Sequence, residues 1–229
     1  MNGQGATFDA PARQRVWDVP LRMVHWTIVI LIATSWWTAE QGMLDWHRLS
    51  GYLILALLLF RLLWGVLGST TARFASFVRG PAAVISYVRR SVFTRTPNVV
   101  TGHNPIGGWS AVVMLSALLT QAILGLFAVD IDGLESGPLA SHVSFDAGRL
   151  AAETHAMLFN ILLALIALHV AAVLFYLIVK RTNLLLPMIL GWRRGEAAAA
   201  ELYFAPLGRA AILLAICGAT VWAMVKFAG

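Results

Sequence analysis

The chain has 229 residues, of which 59% are hydrophobic and 12% are charged, and its mean hydropathy is +0.75. This composition is typical of an integral membrane protein and excludes an ordinary soluble domain. The formal net charge of +6 does not indicate nucleic-acid binding, because the basic residues lie between apolar runs. Cys217 is the one cysteine, so the sequence offers no internal disulfide and no CxxC motif.

Five apolar runs follow one another along the chain, at residues 23–38, 49–67, 109–129, 150–179 and 207–227. Each is close to or above the roughly 20 residues that a helix needs to cross a bilayer. The sequence has no long segments of alternating polar and apolar residues, and this pattern disfavours an outer-membrane β-barrel. The sequence therefore predicts an all-α membrane protein with five transmembrane helices.

The segments between the runs are polar and mostly basic. Residues 1–16 form a polar tail, and "GPAAVISYVRRSVF" predicts a short interfacial helix that begins at Pro81. The first run does not end in a small-x-small cleavage site, so we do not expect it to be a removed signal peptide. Thirteen of the 17 lysines and arginines lie on one side if the N terminus is inside. The positive-inside rule then predicts a cytoplasmic N terminus and, in a bacterium, a periplasmic C terminus.

Four histidines lie at or inside the apolar runs: His25, His47, His155 and His169. The last two share the fourth run and are 14 residues apart, just under four helical turns, so they face roughly the same way about 21 Å apart. In the alternating topology, His25 and His169 lie at the inner depth, and His47 and His155 at the outer depth. Depth alone therefore predicts the pairs His25–His169 and His47–His155.

Two bis-histidine sites at two depths are typical of two non-covalent b-type haems, whose iron takes axial imidazoles. Zinc is a poorer fit, because each site offers two nitrogens and no nearby cysteine or carboxylate. A single histidine at a helix end would be read as an interfacial polar residue, but four at matched depths favour metal ligands. His103 and His142 lie in loops and are not expected to bind iron.

Other residues are candidates for contacts with the haems. Gly51 lies one turn after His47 and would admit a porphyrin edge, and Gly125 would do the same or serve plain helix packing. Arg61 repeats the His47 face at the inner depth, where the first three runs contain no acidic residue. We expect it to pair with a propionate of the inner haem, the alternative being snorkelling to the interface. Weaker candidates for propionate contacts are Arg22, Arg48 and Arg149.

Several motifs together resemble the bacterial cytochrome b561 family, in particular the di-haem branch related to the b subunits of nickel-dependent hydrogenases. They are "VWDVPLRMVHW", "HRLSGY", "FRLLWG", "FVRGP", "GHNPIGGWS", "ETHAMLFNILLALIALHV" and "KRTNLLLPMILG". The resemblance implies a four-helix haem-binding bundle over residues 17–191, with the family's histidines falling on the four named above. A linker at 192–206 and an additional transmembrane helix at 207–229 lie outside the matched part.

The resemblance implies electron transfer in the bacterial inner membrane between a quinone pool and a redox partner. A bound quinone is among the expected cofactors. The partner would be a c-type cytochrome or a hydrogenase. The acidic outer loop at 130–146 suits the docking of a basic cytochrome. The same loop is also what the positive-inside rule alone predicts for the outer side of a membrane protein. A second hypothesis is a superoxide oxidase, which the net acidic outer loops disfavour. A third is a histidine-lined transporter without haem.

Overall fold

The computed structural model describes residues 13–92, 102–194 and 202–228, in which five long helices are joined by short helices and one two-stranded ribbon. The elements in chain order are β1 (Arg13–Arg15), α1 (Val19–Glu40), α2 (Leu44–Leu67), α3 (Phe74–Phe77), α4 (Pro81–Tyr87), α5 (Pro105–Phe127), α6 (Phe145–Ile178), α7 (Leu185–Leu190), β2 (Trp192–Arg194) and α8 (Leu207–Ala228).

The five long helices α1, α2, α5, α6 and α8 are all long and apolar enough to cross a membrane. The prediction of an all-α membrane bundle is confirmed. The chain alternates direction between them, so the start of α1 lies at one end together with residues 68–92, 102–104, 179–194 and 202–206, and we call this the basic end. The loops between α1 and α2 and between α5 and α6 lie at the other, which we call the acidic end.

Four of the long helices, α1, α2, α5 and α6, begin four or five residues before their apolar runs, and polar side chains cap all of these starts except that of α2. The side chains of Asp18, Asn104 and Ser144 accept hydrogen bonds from the backbone N–H groups of the first turns of α1, α5 and α6. Pro20 and Pro105 stand near the helix starts, where a missing N–H costs nothing. Capping therefore stabilises the starts of α1, α5 and α6, which lie ahead of the stretches that hydrophobicity alone identifies.

Helix α2 is the centre of the bundle, since it packs against α1, α5 and α8 and has the largest buried share of the five. Helix α6, the longest, packs along α5 but makes few close backbone approaches to α1 or α2. One face of α6 is therefore separated from α1 and α2 by a gap, and side chains rather than close backbone contacts span this gap.

An apolar layer fills the middle of the bundle. Ile54 and Leu58 of α2, Leu118 of α5 and Leu162 of α6 are all more than nine-tenths buried and form one cluster. Leu162 lies seven residues from both His155 and His169. The two histidine depths of α6 are thus separated by a tightly packed hydrocarbon layer.

The ribbon closes the basic end. Strand β1 pairs antiparallel with β2, with Arg15 opposite Trp192, and the backbone N–H of Val16 donates to the carbonyl of Gly191 at 2.8 Å. The last residues of the polar tail are therefore ordered, while residues 1–12 lie outside the described part. The predicted short helix at Pro81 is present as α4, followed by a π-helical turn. Part of the predicted linker, residues 195–201, also lies outside the described residues.

Candidate functional site

Two of the four histidines form a close pair near the acidic end. His47 lies in the first turn of α2, and His155 lies in the third turn of α6. Their ring centroids are 6.0 Å apart and their ring planes are inclined at 80°. The structure thus brings together the two residues that depth alone pairs at the outer level.

Backbone carbonyls hold both rings of this pair. Nδ1 of His47 lies 2.9 Å from the Ser35 carbonyl oxygen of α1, and Nδ1 of His155 lies 2.9 Å from the Gln121 carbonyl oxygen of α5. A carbonyl can only accept, so each Nδ1 carries the proton and each Nε2 keeps its lone pair when the imidazole is neutral. This is the arrangement in which a second hydrogen bond orients a metal-ligating imidazole.

The spacing of the two rings fits two axial ligands on one ion. A metal–imidazole bond is about 2.0 Å long and its nitrogen lies about 1.1 Å from the ring centroid, so two opposed imidazoles have centroids about 6.2 Å apart. The observed 6.0 Å agrees with this value. No group of three His, Cys, Asp or Glu side chains that could hold a metal occurs among the described residues.

The two glycines near this pair differ in what surrounds them. A Cβ on Gly125 would lie 3.1 Å from Cε1 of His155, so this glycine makes room for the imidazole rather than for a porphyrin edge. A Cβ on Gly51 would meet no atom within 4 Å. The space beside Gly51, one turn from His47, is therefore open.

The other two histidines lie toward the basic end. His25 is in the second turn of α1, and His169 of α6 lies within electrostatic range of it. Both rings are half-buried, and Nδ1 of His25 is buried with no hydrogen-bond partner. A buried, unpartnered ring nitrogen indicates that a polar group or an ion belongs at this place.

Arg61 of α2 lies at the same depth and is only 6% exposed. Its guanidinium carbon lies 4.9 Å from the centroid of the Phe74 ring, and its Nη1 is buried without a partner. Asp18 is the anion within electrostatic range of Arg61. The first three apolar runs contain no acidic residue, but Asp18 stands just ahead of α1 and supplies a carboxylate that the apolar runs do not reveal.

Asp18 is one of the most buried residues described, at 1% exposure. Its Oδ1 accepts from the backbone N–H of Leu21 at 2.8 Å, and its Oδ2 accepts from Nε1 of Trp64 at 2.9 Å. One carboxylate therefore caps α1, binds α2 and balances part of the Arg61 charge. The capping position before "VPLR" is the sequence signal that would have identified it.

His103, which sequence reasoning set aside as a loop residue, also lies in this cluster. Its ring packs between Trp17, at 4.8 Å, and Phe77, at 4.6 Å between centroids. Burial, helped by the positive charge of Arg61, lowers the pKa of His103 to about 4, so the ring is neutral at physiological pH. Its Nδ1 is buried without a partner. It joins Nδ1 of His25 and Nη1 of Arg61 as a buried polar atom without a partner in this cluster.

The remaining arginine candidates are engaged elsewhere. Arg48 forms ion pairs with Glu135 at 2.5 Å and Asp45 at 2.7 Å, and Arg149 pairs with Glu153 at 3.3 Å. Nη1 of Arg22 donates to the carbonyl of Ile189. His142 is exposed beside Ser141 in the acidic-end loop, away from the pair in α2 and α6. Arg61 is therefore the candidate arginine that lies buried beside a histidine level.

A family model described as prokaryotic cytochrome b561 matches residues 16–191, about three-quarters of the chain. The matched region ends at the glycine that follows α7 and excludes α8. No curated protein and no solved structure shows significant similarity to the chain.

Proposed function

Since the chain belongs to the prokaryotic cytochrome b561 family, whose members transfer electrons across membranes through b-type haem, we propose that it binds two haems and connects a quinone pool to a redox partner. The ligands would be His47 and His155 for an outer haem, and His25 and His169 for an inner haem. A bound haem would supply one-electron chemistry at its iron, and the imidazoles of the four histidines would hold the two haems.

The observation that carries this proposal is the His47–His155 pair. Its ring spacing fits two axial ligands, and both Nδ1 atoms are bonded to helix carbonyls, which leaves Nε2 for the metal. An ordinary edge-to-face contact between two rings has the same spacing, so the stronger support comes from the two carbonyl bonds, which leave the same nitrogen free on both histidines. The gap between α6 and the α1–α2 pair supports the proposal further, since a large planar group needs room between the helices.

At the inner level, the unpartnered atoms favour an anionic group close to Arg61. We infer that Arg61, with its Nη1 and the nearby His103, binds a haem propionate at the basic end. Asp18 already offsets part of the arginine's charge, so the propionate is the second anion rather than the sole one. Snorkelling is less favoured, because the guanidinium is buried beneath Phe74.

The apolar layer disfavours the transporter hypothesis. Ile54, Leu58, Leu118 and Leu162 fill the space between the two histidine levels, and a hydrophilic solute would have to pass through it without polar contacts. The ion pairs of Arg48 and Arg149 disfavour a superoxide oxidase, because the two arginines that could attract an anion near the outer pair are neutralised by carboxylates.

We propose that the protein lies in a bacterial inner membrane, with the basic end in the cytoplasm and the acidic end in the periplasm. The exposed carboxylates of the acidic end, including Asp132 and Glu135, suit a basic partner such as a c-type cytochrome. A hydrogenase is the alternative partner, which would use the same end. Helix α8 contains no histidine and makes its main contacts with α2, so we assign it no redox role.

Reconstitution in sealed vesicles tests the electron-transfer function. Purified protein is inserted into vesicles that hold a trapped reductant, and an external c-type cytochrome is monitored by its absorption. We expect reduction that requires both the protein and a quinone, and that falls to background in the His155→Ala variant. The control is His142→Ala, which changes an exposed histidine at the same end. Reduction that persists in His155→Ala would contradict the proposal, and haem reduction by added superoxide alone would favour the oxidase.

A further inference from the structure

The ribbon, the start of α1 and the end of α7 line an open cavity of about 300 Å³ at the basic end, and none of the four histidines is in its lining. Three arginines line it: Arg13, Arg15 and Arg22. Its other walls include Trp192, Gly191 and Val19. We propose that this cavity binds the phosphate headgroup of an anionic phospholipid.

The arginines that line the cavity lack acidic partners among the described residues. Arg13 lies 4.4 Å from the centroid of the Trp192 ring, and Arg15 lies 4.2 Å from that of Phe204, so aromatic faces rather than carboxylates hold these guanidiniums. The described acidic residue at this end is Asp18, and both of its oxygens are already bonded inside the bundle. Three positive charges in one cavity repel each other unless an anion binds between them.

Local backbone geometry makes room for the third arginine. Gly191 follows α7 with a φ of +86°, a backbone conformation that residues other than glycine rarely adopt. A Cβ at this position would lie 3.0 Å from the guanidinium carbon and from Nε of Arg22. Nη1 of Arg22 is bonded to Ile189, but Nε is buried without a partner. A fixed guanidinium with a buried, unused donor is suited to an oxygen of a phosphate.

The surroundings indicate a lipid rather than a soluble phosphate. Val19 and Leu190 line the cavity and are 37% and 40% exposed, and Met23, one turn along α1, is 62% exposed. Apolar side chains that stay exposed at the start of a membrane-spanning helix are those that acyl chains cover. A basic cavity beside them, on the proposed cytoplasmic side, lies at the depth of anionic headgroups.

Native mass spectrometry of the purified full-length protein tests this site. The probe is phosphatidylglycerol, in competition with an equal amount of phosphatidylcholine, and a separate sample receives inorganic phosphate at the same phosphate concentration. We expect the protein to retain phosphatidylglycerol preferentially. Replacing Arg13 and Arg15 together by glutamine should weaken that binding about tenfold or more.

The matched control replaces Arg89 and Arg181 by glutamine. Both are exposed at the same end, outside the cavity, so the variant loses the same charge. We expect it to bind phosphatidylglycerol as the parent protein does. If the double variant of Arg13 and Arg15 folds poorly, the single variant Arg13→Gln replaces it, with an expected loss of several-fold. Equal weakening in the control, no weakening in the cavity variants, or equal competition by inorganic phosphate would each overturn the lipid assignment.

Discussion

His47 and His155 face each other with ring centroids 6.0 Å apart, and each is held by the carbonyl of a further helix, Ser35 in α1 and Gln121 in α5. All four long helices of the family-matched region therefore contribute to one pair of imidazoles. A change in the packing of α1 or α5 should alter the outer pair even without touching a histidine. This cooperation explains why α8 can lie outside the site while still packing against α2.

Two b-type haems per chain are expected, because the four histidines lie at two levels, with His47 and His155 at one and His25 and His169 at the other. Purified protein should be red, and the pyridine haemochrome assay should give close to two haems b for each polypeptide. A ratio near one, in protein with all four histidines intact, would contradict the two-site proposal. A colourless preparation from cells supplied with haem precursors would contradict haem binding and favour the transporter hypothesis.

Loss of either histidine of a pair should remove the same haem. We expect His47→Ala and His155→Ala to delete one common component of the low-temperature reduced-minus-oxidised spectrum, and His25→Ala and His169→Ala to delete the other. His142→Ala is the control, since its side chain is exposed in a loop. If His25→Ala and His155→Ala removed one common component, the proposed pairing would be wrong.

The open space beside Gly51 allows a test of whether the edge of a haem occupies it, as a notch in the surface of α2. A Cβ meets no protein atom within 4 Å at Gly51 or at Gly218, so in the protein alone both changes to alanine should be neutral or stabilise the helix by about 0.5–1 kcal/mol. With a porphyrin in the notch, Gly51→Ala should instead lower the occupancy of the outer haem, whereas Gly218→Ala should not. Haem-to-protein ratios of the two variants provide the comparison, and equal ratios would exclude Gly51 from the site.

Charges next to the inner haem should shift its midpoint potential in opposite directions. A nearby positive charge favours the reduced haem, so Arg61→Leu should lower the inner potential by about 60 mV, which corresponds to about 1.4 kcal/mol for one electron. Asp18→Asn should raise it, and Arg61→Lys should cause the smaller change of the two arginine variants. Redox titrations of both haems provide the test, with the outer potential as the internal control. Unchanged inner potential and occupancy in Arg61→Leu would favour snorkelling.

Asp18 should also be important for stability, because one carboxylate accepts from both α1 and α2. Asp18→Ala loses a helix cap, worth about 1 kcal/mol, and leaves Nε1 of the fully buried Trp64 unpaired, which costs about 1–3 kcal/mol more. Asp18→Asn keeps the cap but offers one acceptor oxygen, so its loss should be intermediate. Thermal unfolding in detergent measures the series. Equal stability of all three proteins would show that the carboxylate is dispensable.

Sequence periodicity and hydropathy were enough to predict the all-α membrane bundle, because five apolar runs of spanning length are compatible with few other folds. They also predicted the depths of the histidines, because the alternating direction of the helices and a fixed rise per residue determine depth. The short helix at Pro81 was recognised for a similar local reason, proline being favoured at a first helical position.

The contacts of Asp18 and His103 could not be predicted from the sequence, because they depend on loops that return to the bundle. Asp18 meets Trp64 across 46 residues, and His103 meets Trp17 across 86. Hydropathy treats both as polar residues outside the apolar runs and therefore assigns them to the interface. Gly125 illustrates the same limit, since only the packing of α5 on α6 shows that His155 occupies the space above it.

The positions of His155 and His169 along α6 make any exchange of charge between the two levels sensitive to membrane voltage. The levels are about 21 Å apart, about 0.7 of a hydrocarbon thickness of about 30 Å. Moving one elementary charge through the full potential takes about 2.3 kcal/mol per 100 mV, so this displacement takes about 1.6 kcal/mol, or about a 15-fold change in equilibrium. In a cell that is negative inside, and with the basic end in the cytoplasm, the voltage holds the electron toward the level of His47 and His155.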